Sequence, residues 1–229
     1  MNTIIVTGAS GNLGQAVVKK FLTDKYKVIG TVIPNDPVTI EIRNPNFEKV
    51  IVDLLNEEAT QKFIDSVILK YGSIDAIVLT VGGFAMGKIA DTKASDILKQ
   101  YKLNFETAYN TVRPVFTQML KQNGGRIFMI GSRAGSGMHF SKGVVAYGLT
   151  KSLIFRLAEL MNDEAKDQNV VTSVIVPSTI DTPQNRKSMP DADFSKWVKP
   201  EDIADVISFY CSAGGSILRE PIIKVYGRS

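Results

Sequence analysis

A short apolar run, a turn with three glycines and a helical pattern follow one another directly between positions 3 and 23. This succession narrows the fold more than any other stretch of the chain. Residues 3–7 (TIIVT) are apolar or β-branched without alternation, as in a strand covered on both faces. The turn reads Gly8-Ala9-Ser10-Gly11-Asn12-Leu13-Gly14. Its glycines permit a tight turn and close backbone approach. The first amides of the helix behind it have no partner inside the helix and face an anion well. A plain strand–helix turn would need fewer glycines. Strand, glycine turn and helix in this order therefore point to a phosphate cradle, with Gly8, Ser10, Asn12, Leu13 and Gly14 as its cofactor-binding residues.

The same alternation continues along the chain. Further strand patterns lie at 27–33, 50–52, 74–81, 126–130, 170–176 and 221–226. Helical spacing occupies 57–71, 94–122, 144–166 and 200–212, the second of these as one long helix or two abutting ones. Pro34, Pro37 and Pro45 predict an extended crossover in place of a helix between the second and third strands. Seven strands with intervening helices, uninterrupted by repeat or linker, predict an α/β fold. We expect a single Rossmann-type, doubly wound domain over 1–229 with a mainly parallel sheet. The polar, non-repetitive segment 184–199 reads as a flap over a site, and holds Arg186, Lys187 and Trp197.

Composition excludes several function classes. With 229 residues, 44% of them hydrophobic, the chain can bury a substantial core. Its 27 basic residues, giving a net charge of +4, are dispersed and form no nucleic-acid arm or membrane-binding patch. The one cysteine, Cys211, cannot close an internal disulfide, and the one histidine, His139, leaves no histidine-based metal site. The first residues enter a strand without a basic segment and apolar run, so neither leader nor anchor is expected. These features point to a cytoplasmic chain whose partner is a small molecule.

Tyr147 and Lys151 stand four apart, which on a helix places them on one face, a turn apart. A phenol titrates near 10. A neighbouring ammonium favours the phenolate and lets the pair trade a proton nearer neutral pH. Alone, the spacing fits equally a half-buried tyrosine beside a solvated lysine. The glycine loop upstream, and Ser132 about one strand–helix unit before, favour chemistry. Asp53, behind the third strand, could hydrogen-bond an adenine amino group or cap the next helix. Gly82 and Gly83 end the fourth strand, where a parallel sheet lets a ligand approach. Asn104 lies mid-helix, where its side chain competes for the backbone. Val32 stands where a carboxylate would take the ribose hydroxyls of a dinucleotide, Asp36 falls a few residues late, and no arginine follows the strand at once. Neither NAD nor NADP is marked, with a slight lean to NADP. Arg133 and His139, in the loop after Ser132, are expected in solvent.

Thr7 to Gly14, Asn104, Gly131-Ser132 with Ala134-Gly135, Tyr147-x-x-x-Lys151 and Pro177 through Thr182 occur in the order shared by short-chain dehydrogenases/reductases. The chain resembles that family over nearly its whole length. The resemblance implies the strand order 3-2-1-4-5-6-7 and a catalytic group of Asn104, Ser132, Tyr147 and Lys151. It also implies that Asn104 holds a water linking Lys151 to solvent. Pro177 and Thr182 would border the nicotinamide of NAD(P)(H), with Tyr147 and Lys151 also touching the cofactor. The segment 181–197 and Gly82-Gly83 resemble dihydropteridine reductases in particular. Two residues depart from that group, Val32 where an aspartate is usual and Ser132 where a serine tends to be missing. The function implied is hydride transfer to or from a small carbonyl, alcohol or imine-like substrate. A pterin reductase and a catalytically silent NAD(P)-binding sensor are the alternatives. Family members pair through the helices corresponding to 94–122 and 144–166, which implies a homodimer or homotetramer.

Overall fold

Between the second and third strands the chain runs from 33 to 46 without a helix, as its prolines require. Elsewhere at least one helix joins each strand to the next. The computed structural model describes residues 1–137 and 140–228. Its strands are β1 (Thr3–Thr7), β2 (Lys27–Val32), β3 (Phe47–Ile51), β4 (Ala76–Leu79), β5 (Gly125–Ile130), β6 (Val170–Pro177) and β7 (Ile222–Val225). The helices are α1 (Asn12–Thr23), α2 (Glu57–Tyr71), α3 (Ala94–Tyr101), α4 (Thr107–Lys121), α5 (Val145–Glu164), α6 (Pro183–Ser188) and α7 (Pro200–Cys211).

All seven strands form one sheet in the order 3-2-1-4-5-6-7, and every neighbouring pair is parallel. Parallel strands need crossovers, and the crossover helices cover both faces. That is why β1, β4 and β6 are buried at every residue. On one face Phe63, Ile64, Val112, Val115, Met119, Ile154 and Phe155 from α2, α4 and α5 pack on Ile5, Ile77, Ile127 and Val174. On the other, Val17, Phe21, Ile203 and Ile207 from α1 and α7 pack on Ile4, Val6, Val78 and Phe128. The winding reverses between β1 and β4, which opens a crevice at their carboxyl ends.

Two elements differ from expectation. The third strand lies at Phe47–Ile51, three residues earlier than 50–52 at its start. It is the edge strand, and Glu48 and Lys49 lack the apolar pattern of a covered strand; backbone pairing to β2 holds them. The stretch 94–122 is neither one helix nor two simply abutting ones, because a π-helical turn, Lys102–Glu106, joins α3 to α4. The segment 184–199 contains most of α6 and a 3-10 turn at Phe194–Lys196, and a bridge between Ile180 and Val198 ties its flanks together. Among the described residues no helix is long and apolar enough to cross a membrane.

Candidate active site

Helix α5 packs against β6 and against the turn Arg133–Gly135 behind β5. Its second turn puts Lys151 at 5% exposure. The Lys151 ammonium donates to the Ile130 carbonyl at 2.7 Å and lies 6.0 Å from the centre of the Tyr147 ring. Burial penalises the charged amine and pulls its pKa from 10.5 to about 8. For Tyr147 burial is also the main influence and raises the phenol above its usual value, while a hydrogen bond with Ser132 acts the other way. The neighbouring ammonium does not set the direction as expected, because the burial that positions the pair desolvates both members. An edge-on contact at 5.0 Å sets the Phe84 ring against Tyr147. Sequence reasoning passed over Phe84, which carries no local signal.

Ser132 leaves the end of β5 in extended conformation, is buried, and accepts the Gly135 amide at 3.2 Å. Its neighbour Ala134 instead anchors the loop, its carbonyl accepting the Ser141 hydroxyl at 2.8 Å. Asn104 sits inside the π turn and is 1% exposed. A single π turn inserts an extra residue and rotates a side chain off the regular helical face. Here it aims Asn104 at the loop after β4. Its Oδ1 accepts the Gly83 amide at 3.0 Å, while Nδ2 donates to the Gly83 carbonyl at 3.0 Å and to Gln100 Oε1 at 2.8 Å. Gln100 was missed, although its place four residues before Asn104 on one helical face was visible. Gly82 is equally constrained. A Cβ there would come to 2.8 Å from Asn104 Oδ1 and 3.3 Å from Lys151 Nζ.

The glycine turn has the form of a cradle. Gly8 has φ +61°, and a Cβ on Gly14 would stand 2.2 Å from the Gly8 carbonyl oxygen, so helix and strand meet there only without a side chain. Helix α1 begins at Asn12 and Leu13 behind Gly11, which has no side chain to cap their amides. These are donors suited to a pyrophosphate. Gly82 and Lys151 meet behind β4, which neighbours β1 and its glycine turn, so the residues present fit an NAD(P) cofactor. Asp53 does not cap α2. Asn56 does, accepting the Ala59 amide at 2.9 Å, and exposed Asp53 accepts the Leu55 amide at 3.0 Å in a turn of its own. Pro177 ends β6, and buried Thr182 caps α6 by accepting the Asn185 amide at 3.2 Å, which leaves its hydroxyl proton to donate.

Other residues of interest are more tied down than the sequence suggests. Arg186 makes two contacts with Asp181, at 2.6 and 2.7 Å, and covers the Phe194 ring at 4.8 Å. Trp197 packs on Phe194 with ring centres 4.8 Å apart. Arg133, expected in solvent, is half-buried, with its guanidinium 4.2 Å from the centre of the Tyr226 ring. The stacking partner comes from the end of the chain, which no local pattern announces. His139 lies outside the described residues. Among those described, no group of three or more His, Cys, Asp or Glu side chains could hold a metal ion.

A parallel sheet with its winding reversed at a glycine cradle, and a buried lysine beside a tyrosine at the same crevice, define a dinucleotide-dependent enzyme of the doubly wound class. The family profile described as short chain dehydrogenase matches residues 2–193, and the chain belongs to that family of NAD(P)-dependent oxidoreductases. It is 25% identical over 241 residues to acetoacetyl-CoA reductase of Acinetobacter sp., covering 97% of this chain and 95% of that protein. Dihydropteridine reductase of Dictyostelium discoideum is 29% identical over 208 residues, 88% of this chain and 84% of that one. Among solved structures, ElxO with NADP bound superposes with a TM-score of 0.88 at 22% identity, covering 99% of this chain and 97% of that one. The ligand-free aldohexose dehydrogenase of Thermoplasma acidophilum gives 0.82 at 23% identity, covering 99% and 93%.

Proposed function

We propose that the chain transfers hydride between NAD(P)(H) and a small carbonyl, alcohol or imine-like substrate, with Asn104, Ser132, Tyr147 and Lys151 as the catalytic group. One observation carries this: Lys151 is buried, donates to a strand-end carbonyl, and lies beside a phenol in reach of a serine hydroxyl. The nicotinamide supplies the hydride. Tyr147 gives its proton to the substrate atom that gains charge, or takes it in the oxidative direction. Ser132 donates a hydrogen bond to that atom. Lys151 holds positive charge beneath the phenol and stabilises the phenolate left behind. Asn104 keeps the Gly82–Gly83 backbone in place beside Lys151 and holds the water that links the ammonium to solvent.

On this reading Gly8, Ser10, Asn12, Leu13 and Gly14 hold the pyrophosphate and adjoining ribose, and Asp53 meets the adenine. Gly82, Pro177 and Thr182 border the nicotinamide, Thr182 through its free hydroxyl proton. Residues 184–199 form the flap, and 1–229 act as one domain. A pterin substrate stays the narrower alternative, favoured by the segment 181–197 and by the similarity to dihydropteridine reductase. The retained tyrosine and lysine speak against a silent sensor. We also propose a homodimer or homotetramer. Leu149, Leu153 and Leu160 line exposed α5, with Tyr109 of α4 exposed as well. Cofactor oxidation measured with a panel of carbonyls and quinonoid dihydropterin tests the function. Tight cofactor binding with no turnover of any member would favour the sensor.

A further inference from the structure

Behind β2 the chain does not continue away from the glycine cradle but folds back onto it. The Asp36 amide donates to the Ile33 carbonyl at 3.3 Å, closing a tight turn, and Asn35 within it has φ 58°. That left-handed conformation is one asparagine tolerates better than most residues. The turn delivers the Asp36 carboxylate to the cradle. The Ser10 hydroxyl donates to its Oδ2 at 2.5 Å, and the Val38 amide donates to its Oδ1 at 2.9 Å. The cradle is itself pinned to β2, since the Ala9 amide donates to the Thr31 carbonyl at 2.9 Å. An oriented carboxylate thus stands on the β2 side of the loop whose helix receives the pyrophosphate.

We infer that Asp36 takes the ribose-binding part that Val32 cannot play, and that the protein therefore prefers NAD(H) to NADP(H). The inference rests on the oxidoreductase reading above. The adenosine ribose is joined to the pyrophosphate through one methylene, so a pyrophosphate held at the start of α1 would keep the 2′ and 3′ hydroxyls within a few bonds of the loop that Asp36 borders. Hydroxyl protons pair well with an ionised carboxylate. A 2′-phosphate would bring charge of the same sign to the same place. Ser10, which could otherwise donate to that phosphate, has its proton on Asp36. The cation whose charge reaches Asp36 is Lys49, an exposed residue of the edge strand β3. Solvent screens such a charge, and it faces the carboxylate first. By spacing along the chain Asp36 falls too late for the role, and the tight turn at Asn35 brings it back to the cradle.

Binding of NADH and NADPH to the whole chain, read by the fluorescence of the reduced nicotinamide, tests this without turnover. The wild-type protein should bind NADH at least about tenfold more tightly, the lower end of what a hydrogen bond to a charged group supplies. Asp36→Asn keeps the shape and removes the charge, and should shrink that ratio about tenfold or more. Ser10→Ala keeps the charge and should leave NADH the tighter ligand. Thermal melts check that each variant is folded, with Asp36→Ala as a second charge-free form. Tighter binding of NADPH by the wild type, or an unchanged ratio in Asp36→Asn, overturns the role of Asp36 alone. Binding of neither cofactor overturns the oxidoreductase reading with it.

Discussion

The side-chain amide of Asn104 grips both backbone groups of Gly83, accepting its N–H and donating to its carbonyl, each at 3.0 Å. A flexible glycine pair at the mouth of the site is thereby held by one residue from a π turn. Asn104→Asp removes the donor and sets a carboxylate against the Gly83 and Gln100 oxygens. It should cost about 1–3 kcal/mol of stability, the price of leaving buried groups unpaired, and lower kcat as the loop beside Lys151 loosens. Urea unfolding alongside initial rates checks this. Unchanged stability would show the grip to be idle.

Tyr147→Phe removes the transferable proton and keeps the ring that meets Phe84. The fold and cofactor affinity should hold while kcat falls by roughly a hundredfold or more, the scale of general acid catalysis. A quinonoid pterin, being more reactive, should suffer less than a simple ketone. Near-normal turnover with every substrate would leave Tyr147 as packing alone.

Lys151 makes a prediction about pH. Its folded-state pKa of about 8 lies below the usual 10.5, so between those values the unfolded chain binds the extra proton. Stability from this group is present above 10.5 and is lost as pH falls through about 8. The gap amounts to about 3 kcal/mol carried as a penalty at neutral pH. Lys151→Met should therefore be the more stable protein at pH 7 and inactive. Its advantage should shrink as pH rises from 8 toward 10.5. Guanidinium unfolding across that range decides it, and a variant less stable at neutral pH contradicts the burial penalty.

For Trp197→Ala, the Phe194 contact keeps the pair together at one end of the flap. We expect KM to rise severalfold with kcat nearly unchanged, since such a contact serves ground and transition states alike. A drop in melting temperature without a change in KM would make the tryptophan an anchor.

Assembly is checked by light scattering. A dimer or tetramer is expected, and Leu153→Arg, which puts a charge in the exposed apolar stripe of α5, should shift it toward smaller species. A monomer mass at every concentration rules the assembly out.

Much of this was legible from local chemistry. A buried parallel strand must be apolar throughout, a tight turn against a helix must be glycine, and helical spacing aligns Tyr147 with Lys151. Each of these is a constraint within a few residues, so the sequence by itself determined the class of fold, the form of the glycine turn and the pairing of Tyr147 with Lys151 on one helix. The tertiary structure decided what depends on distance along the chain. Burial beneath α5 set the direction in which Tyr147 and Lys151 titrate, against the simple expectation for a charge pair. The π turn, whose extra residue leaves no composition signal, chose Gly83 as the partner of Asn104. Ser10 and Asp36 are 26 residues apart, and only the turn at Asn35 and the pairing of β1 with β2 bring hydroxyl and carboxylate together. Periodicity reports what a residue's neighbours in sequence require. It carries no information about which remote side chain will supply the charge.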